Sequence, residues 1–330
     1  MRSLYVSQQG CYLHLRHEMV VIKRGETILD EVQLPLLEQI LIFGKSQITT
    51  QVIRTCLQRD IPIAYLSRMG YCYGRILPIE RGYRYLSRYQ QQLSATERLI
   101  VAREIVQAKL RNSRVILLRQ QRRRSSEITA LAIQSLEYLV SQAAQANTVE
   151  KLMGLEGAGA ASYFSAFGEC LTGAGFTFMG RSRRPPGNPV NAMLSFGYQV
   201  LWNHILSLIE LQGLDPYHAC LHQGSERHAA LASDLVEEFR APIIDSLVLY
   251  LVNKMVMNPN EDFDYHNGGC YLNDIGRKKL LRAFLQRMEE KHKTEHGDDQ
   301  PRWDLLTQQI KAFKQFVYSP ALGYKPYLIR

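Results

Sequence analysis

The sequence lacks the marks of a secreted, zinc-stapled or membrane-spanning protein. Its six cysteines, Cys11, Cys56, Cys72, Cys170, Cys220 and Cys270, lie far apart in 330 residues and form no Cys-x-x-Cys pair. That spacing argues against a structural zinc site, supplies no disulfide framework and fits a reducing compartment. The opening Met1-Arg2-Ser3-Leu4-Tyr5 has none of the apolar run of a signal peptide. Nowhere does the chain approach the roughly 18 consecutive apolar residues that cross a bilayer. A cytoplasmic protein with no membrane partner is the expectation. Internal repeats are also missing, and the only biased segment is the polar, charged stretch 289–300, read as an exposed connection.

With 46% hydrophobic and 22% charged residues, the composition is that of a folded globular protein of one large domain or two ordinary ones. Forty Lys and Arg against 31 Asp and Glu leave a formal charge of +9, which favours a polyanionic partner such as nucleic acid.

Up to about residue 78 the chain reads as strands. Short runs at 3–6, 11–17, 19–23, 27–32 and 39–42 are rich in Val, Ile, Leu and Tyr, with turn residues between them. One helix, 49–58, precedes a strand at 61–66. From about residue 85 apolar residues recur at helical spacing, over 94–118 (Ser94 stands three residues before Glu97), 127–145, 149–170, 189–211, 229–239, 242–257, 274–292 and 301–317. The predicted fold is α+β. A small β-rich N-terminal domain, residues 1–84, precedes a larger all-α domain, residues 85–330, with the boundary inside the Tyr- and Arg-rich segment 78–93.

Two basic regions stand out. Lys109, Arg111, Arg114, Arg119, Arg122, Arg123 and Arg124 fall within sixteen residues that hold no acidic side chain. On a helix and its following turn they form either a phosphate-binding strip or a solvated helix end. Arg181-Ser182-Arg183-Arg184-Pro185-Pro186-Gly187-Asn188-Pro189 is a stiff basic loop leading into a helix. A third region interleaves aromatics with guanidinium groups: Tyr71, Tyr73, Arg75, Arg81, Tyr83, Arg84, Tyr85, Arg88 and Tyr89. Such a mixture suits stacking on bases and equally suits a subunit interface.

The candidate site begins with Glu156, a carboxylate among small and apolar residues on a helix whose N-cap and capping box are assigned to Asn147 and Glu150. Burying an anion there is costly without a cation or donors, while the surrounding Gly and Ala let a ligand or another backbone come close. Downstream, Asp234 and Glu237 are three apart and share a helix face, whereas Glu238 lies about 100° round, solvated or paired with Arg240. His218, His222 and His228 compete for one further ligand position. Carboxylates with one imidazole suit Mg²⁺ or Mn²⁺, which would stabilise charge on a scissile phosphate. The competing reading is a non-catalytic, basic DNA-binding scaffold in which the carboxylate cluster is structural.

Three blocks then resemble the CRISPR-associated protein one family, the integrase and endonuclease of spacer acquisition. They are Leu155-Glu156-Gly157 with Tyr163-Phe164; Arg183-Arg184-Pro185-Pro186 running through Asn188 and Asn191 to Gly197-Tyr198; and Gly213-Leu214-Asp215-Pro216-Tyr217 through His222 to Asp234-Leu235-Val236-Glu237-Glu238-Phe239. The resemblance implies that Glu156, His222 and Glu237 bind Mg²⁺ or Mn²⁺, with Asp234 a further acidic position near the metal. It leaves His218 and His228 unassigned. It also implies a homodimer, with residues 1–84 serving dimerisation and DNA contact, and a small CRISPR-associated partner that bridges two dimers. The implied substrates are a double-stranded protospacer fragment and the CRISPR repeat. A DNA 3′-hydroxyl attacks a repeat phosphodiester without ATP, and water in its place makes the site a nuclease. Arg119, Arg122, Arg123, Arg124, Arg181, Arg183 and Arg184 are the candidate DNA contacts.

Overall fold

The computed structural model describes residues 2–67, 71–78, 83–225, 228–293 and 299–329. Arg81 of the aromatic and basic segment lies outside the described residues.

Eight short strands open the chain: β1 Arg2–Val6, β2 Tyr12–Arg16, β3 Met19–Arg24, β4 Thr27–Gln33, β5 Leu37–Phe43, β6 Gln47–Ile48, β7 Ile63–Leu66 and β8 Cys72–Ile76, with helix α1 Thr50–Gln58 between β6 and β7. They form two four-stranded sheets, β1-β5-β7-β8 and β4-β3-β2-β6. β1, β5 and β7 run parallel, with Leu4 opposite Ile40 and Ile40 opposite Ile63. Gly10 and Gly25 supply the left-handed backbone of two connections, at φ 75° and 59°. Leu4, Val6, Leu13, Val20, Ile22, Ile40, Ile42 and Ile63 fill one core with Val52 and Cys56 of α1.

β5 explains why alternation fades in this region. Its Ile40 and Ile42 point into that core, while Leu41 and Phe43 join the larger core of the helical region. A strand buried on both faces carries an unbroken apolar run.

Helices follow: α2 Tyr83–Gln92, α3 Ala95–Gln121, α4 Glu127–Ala144, α5 Val149–Glu169, α6 Pro189–Leu211, α7 Ala230–Phe239 and α8 Ser246–Asn253. The expected capping box at the start of α3 is present: Glu97 N donates to Ser94 Oγ, and Ser94 N donates back to Glu97. At α5 the expectation is off by one residue. Thr148, not Asn147, is the N-cap, and its hydroxyl accepts from Lys151 N. α7 and α8 are joined without a break by a π-helical turn, Arg240–Asp245. Pro242 has no N–H to offer the Glu238 carbonyl four residues back, and that oxygen accepts from Asn112 Nδ2 on α3 at 2.8 Å instead.

The helical region also carries two ribbons that periodicity did not predict. β9 Phe263–His266 pairs with β10 Gly269–Leu272 through Asn267-Gly268, both at positive φ (51° and 71°), the backbone of a tight hairpin turn. After α9 Asp274–Glu289, β11 Lys291–Lys293 pairs with β12 Asp299–Pro301 where an exposed connection was expected. α10 Trp303–Tyr318 follows, and then a single 3₁₀ turn, Pro320–Leu322. No helix among the described residues is long and apolar enough to cross a membrane.

Candidate functional site

Three helices and one loop meet at the site: α3 brings Lys109, α5 brings Glu156, α7 with its π turn brings Asp234, Glu237 and Arg240, and the loop before α7 brings His222. Gly159 sets the approach of α5 to α3, because a Cβ there would come within 2.2 Å of Leu110 Cδ2. Gly154 and Gly157, which flank Glu156, face open space with nothing within 4 Å of an added Cβ. Thus one glycine serves helix packing, and the other two face open space.

Lys109 Nζ hydrogen-bonds Glu156 Oε1 and lies 2.6 Å from Glu237 Oε2, in charge contact but off the line of a hydrogen bond. Arg240 Nη1 contacts the other oxygen of Glu237 at 2.8 Å. Burial opposes the charge of Glu237, yet Arg240 and Lys109 outweigh it and bring the carboxyl down to about 2. Two acidic and two basic groups therefore balance across the site.

Asp234 has a different environment. Its Oδ2 accepts from Cys220 N (2.7 Å) and Leu221 N (2.9 Å), and its Oδ1 accepts from His222 N at 2.9 Å and lies 2.8 Å from His222 Nδ1. Fully buried and with these contacts made, the carboxylate fastens the loop and engages Nδ1, leaving Nε2 as the ring nitrogen for other work. Burial lowers the His222 pKa, but the hydrogen bond and charge of Asp234 win and raise it. The loop is pinned further by Gln90 on α2, whose Nε2 donates to Asp215 O and His218 O at 2.8 Å each.

Among the described residues no three acidic, imidazole or thiol side chains form a ready coordination shell. Lys109 stands between two of the candidates. The donor set itself fits a hard divalent ion: Glu156 and Glu237 could supply carboxylate oxygens and His222 its Nε2, and buried Glu237 Oε2 is met by a cation, the Lys109 ammonium at 2.6 Å. On the α3 side a small cavity is lined by Lys109, Tyr163, Arg183, Tyr198 and Arg240. Tyr198 OH donates to Asp245, a buried carboxyl that desolvation pushes up to about 6 against the pull of Tyr198, Tyr163 and two arginines.

Comparison with known proteins sets this geometry in a family. The model described as CRISPR associated protein Cas1 matches residues 4–286. The chain belongs to the Cas1 family. It is 31% identical over 304 residues to a CRISPR-associated endonuclease Cas1 of Methanospirillum hungatei, covering 89% of this chain and 90% of that one. A Cas4 exonuclease/Cas1 endonuclease fusion of Geobacter sulfurreducens is 35% identical over 298 residues, 87% of this chain, which spans 53% of the fusion's length. Among solved structures, a chain of a partial Cas6-RT-Cas1–Cas2 complex superposes with TM-score 0.83 at 23% identity, over 99% of this chain and 98% of that one, a likeness of fold. The β-rich beginning and helical remainder are thus the Cas1 fold.

Of the residues singled out from sequence, Glu156 and Glu237 converge on Lys109, and His222 is near enough for its charge to act on Glu237. His218 Nδ1 pairs with Asp215 at 3.0 Å, and His228 Nε2 lies 3.1 Å from Ser233 Oγ. Arg119, Arg122, Arg123 and Arg124 are exposed around the C-terminal end of α3, whereas Arg114 meets Glu137 of α4 at 3.0 Å. Arg183 and Arg184 are exposed. Arg181 is turned to the protein, donating to Asn191 Oδ1 (2.8 Å) and Ser195 Oγ (2.9 Å). Glu238 corrects an expectation: it is neither solvated nor paired with Arg240, but fully buried and bound by Tyr324 OH and Tyr327 N (2.6 Å). Residues two apart on a helix do not face each other, so Arg240 reaches Glu237, three away. That same spacing was the available signal for Arg240, which the sequence reading placed with the wrong glutamate.

Proposed function

We propose that this chain is the divalent-metal-dependent DNA endonuclease and integrase of CRISPR spacer acquisition, working in the cytoplasm. The observation that supports the reading is that Glu156 from α5 and Glu237 from α7 converge on Lys109, with Arg240 on the other oxygen of Glu237 and the Asp234-bound imidazole of His222 near enough for its charge to act on Glu237. Glu156, His222 and Glu237 would hold Mg²⁺ or Mn²⁺, which supplies Lewis-acid stabilisation of the phosphodiester and activates the attacking hydroxyl. Asp234 engages Nδ1 of the imidazole, which would leave Nε2 to hold the ion. Arg183 and Arg240 offer guanidinium donors to a scissile phosphate. Exposed Arg119, Arg122, Arg123, Arg124 and Arg184 would track the DNA backbone.

Family membership supports the remainder: a homodimer, residues 1–84 serving dimerisation and DNA contact, residues 85–330 carrying catalysis, and a small bridging partner related to the Cas2 named with the superposed chain. Purified protein should join a labelled 3′-hydroxyl fragment to repeat DNA only with Mg²⁺ or Mn²⁺. Glu156→Ala should lose at least about a hundredfold in joining, since removing a metal ligand costs several kcal/mol of transition-state stabilisation. Full joining by Glu156→Ala would refute the assignment. The charge balance of Lys109 and Arg240 against Glu156 and Glu237 favours one rival, a DNA-binding scaffold with a structural cluster. That rival gives salt-sensitive, metal-independent binding and no joining.

A further inference from the structure

Lys109 sits where a cation is wanted. Its Nζ touches Glu156 Oε1 and lies 2.6 Å from Glu237 Oε2, and its side chain is only 12% exposed. The second oxygen of Glu237 is already held by Arg240. Oε2 is therefore the Glu237 atom left for either an ammonium or a metal ion. An ammonium and a divalent ion within a few ångströms of the same oxygen repel each other strongly in a partly buried site. Both cannot remain.

We propose, building on the function proposed above, that Lys109 is a built-in placeholder cation that a divalent metal must displace. In the metal-free protein it holds two carboxylates from α5 and α7 at one point, where they would otherwise repel. A small cavity beside Lys109 is also lined by Ser113, Tyr163 and Arg183, and the lysine stem is long and flexible, so the ammonium has a side to turn toward. Once displaced, the ammonium lies on the side of the site that Arg183 lines. Metal loading then changes Lys109 from a partner of the acidic residues into a donor for DNA, which makes it a positioning residue for both states.

The test uses the full chain, stripped with chelator and titrated with Mn²⁺ by calorimetry. Lys109→Met and Lys109→Gln should each bind Mn²⁺ about tenfold more tightly than wild type, the scale of one charge-assisted contact released. Their melting temperatures should fall below wild type in chelator and recover toward it with saturating Mn²⁺. A purely structural lysine would lower stability equally in both conditions and would not tighten metal binding. Unchanged or weaker Mn²⁺ affinity in a folded variant overturns the proposal, and Gln keeps a polar side chain should Met fail to fold. Glu156→Ala separates the two readings. If wild type binds Mn²⁺ through Glu156 but the Lys109 variants bind no tighter, only the placeholder is wrong. If Mn²⁺ binding ignores Glu156, the metal site falls, and the placeholder with it.

Discussion

On the side of α7 that faces α3 and α5, Glu237 is 2% exposed, and Arg240 and Lys109 draw its carboxyl down to about 2 in spite of burial. On the side that faces the C-terminal segment, Glu238 is fully buried, and there desolvation wins. Its carboxyl is pushed up to about 8, against the hydrogen bonds from Tyr324 and Tyr327. Two adjacent residues of one type, equally removed from water, are shifted in opposite directions. Burial acts on both: it prevails at Glu238, and at Glu237 two neighbouring cations outweigh it. One side of the helix is electrostatic machinery, and the other is a neutral clamp that fixes the helix in place.

The strongest way to break this contrast is to neutralise each residue in turn. Glu237→Gln leaves Lys109 and Arg240 facing a neutral amide, and stability should drop by about 3 kcal/mol in denaturant melts. DNA joining should fall at least about a hundredfold with it. Glu238→Gln should keep joining within about threefold of wild type, because the side chain it replaces is already uncharged at neutral pH. Equal losses in the two variants would show that α7 has no functional asymmetry.

A pH series sharpens the same contrast through opposite slopes. For Glu237, whose pKa is lowered from 4.5 to about 2, the stabilisation is present above 4.5 and is lost as pH falls toward 2. For Glu238, raised from 4.5 to about 8, it is present below 4.5 and is lost as pH rises through 8. Relative to wild type, Glu238→Gln should therefore become more stable between pH 4.5 and 8 in urea titrations. A flat difference would mean that Glu238 is ionised in the folded protein. The smallest effect is expected from Tyr324→Phe, which removes one hydrogen bond to Glu238 and should cost about 1 kcal/mol with joining intact.

The two sides of α7 were not equally legible. Asp234 and Glu237 could be placed on one face because helix geometry converts a spacing of three into adjacency. The partners of Glu238 lie 86 and 89 residues away, where no local period points. Lys109 was visible as part of a basic run, but its turn inward depends on Gly159 admitting α3 against α5, a fact of packing. In the fold, helix 94–118 was readable from the cap at Ser94, and helix 189–211 from its apolar spacing; its cap at Asn188 is a finding of the structure. The β9–β10 ribbon was missed although Asn267-Gly268 is a strong hairpin signal, because it falls in the short gap between helices 242–257 and 274–292, which carried no assignment.

β5 carries a consequence for how the molecule comes apart. Ile40 and Ile42 belong to one core, and Leu41 and Phe43 to the other, with Phe43 packed against His204 and Trp303. The strand is a party wall: neither core can lose it without exposing the apolar face of its neighbour to water. The β-rich region and the helices should then melt in one cooperative transition, seen as coincident loss of near-ultraviolet and far-ultraviolet circular dichroism. A polar residue placed at Leu41 should lower that single midpoint without splitting it.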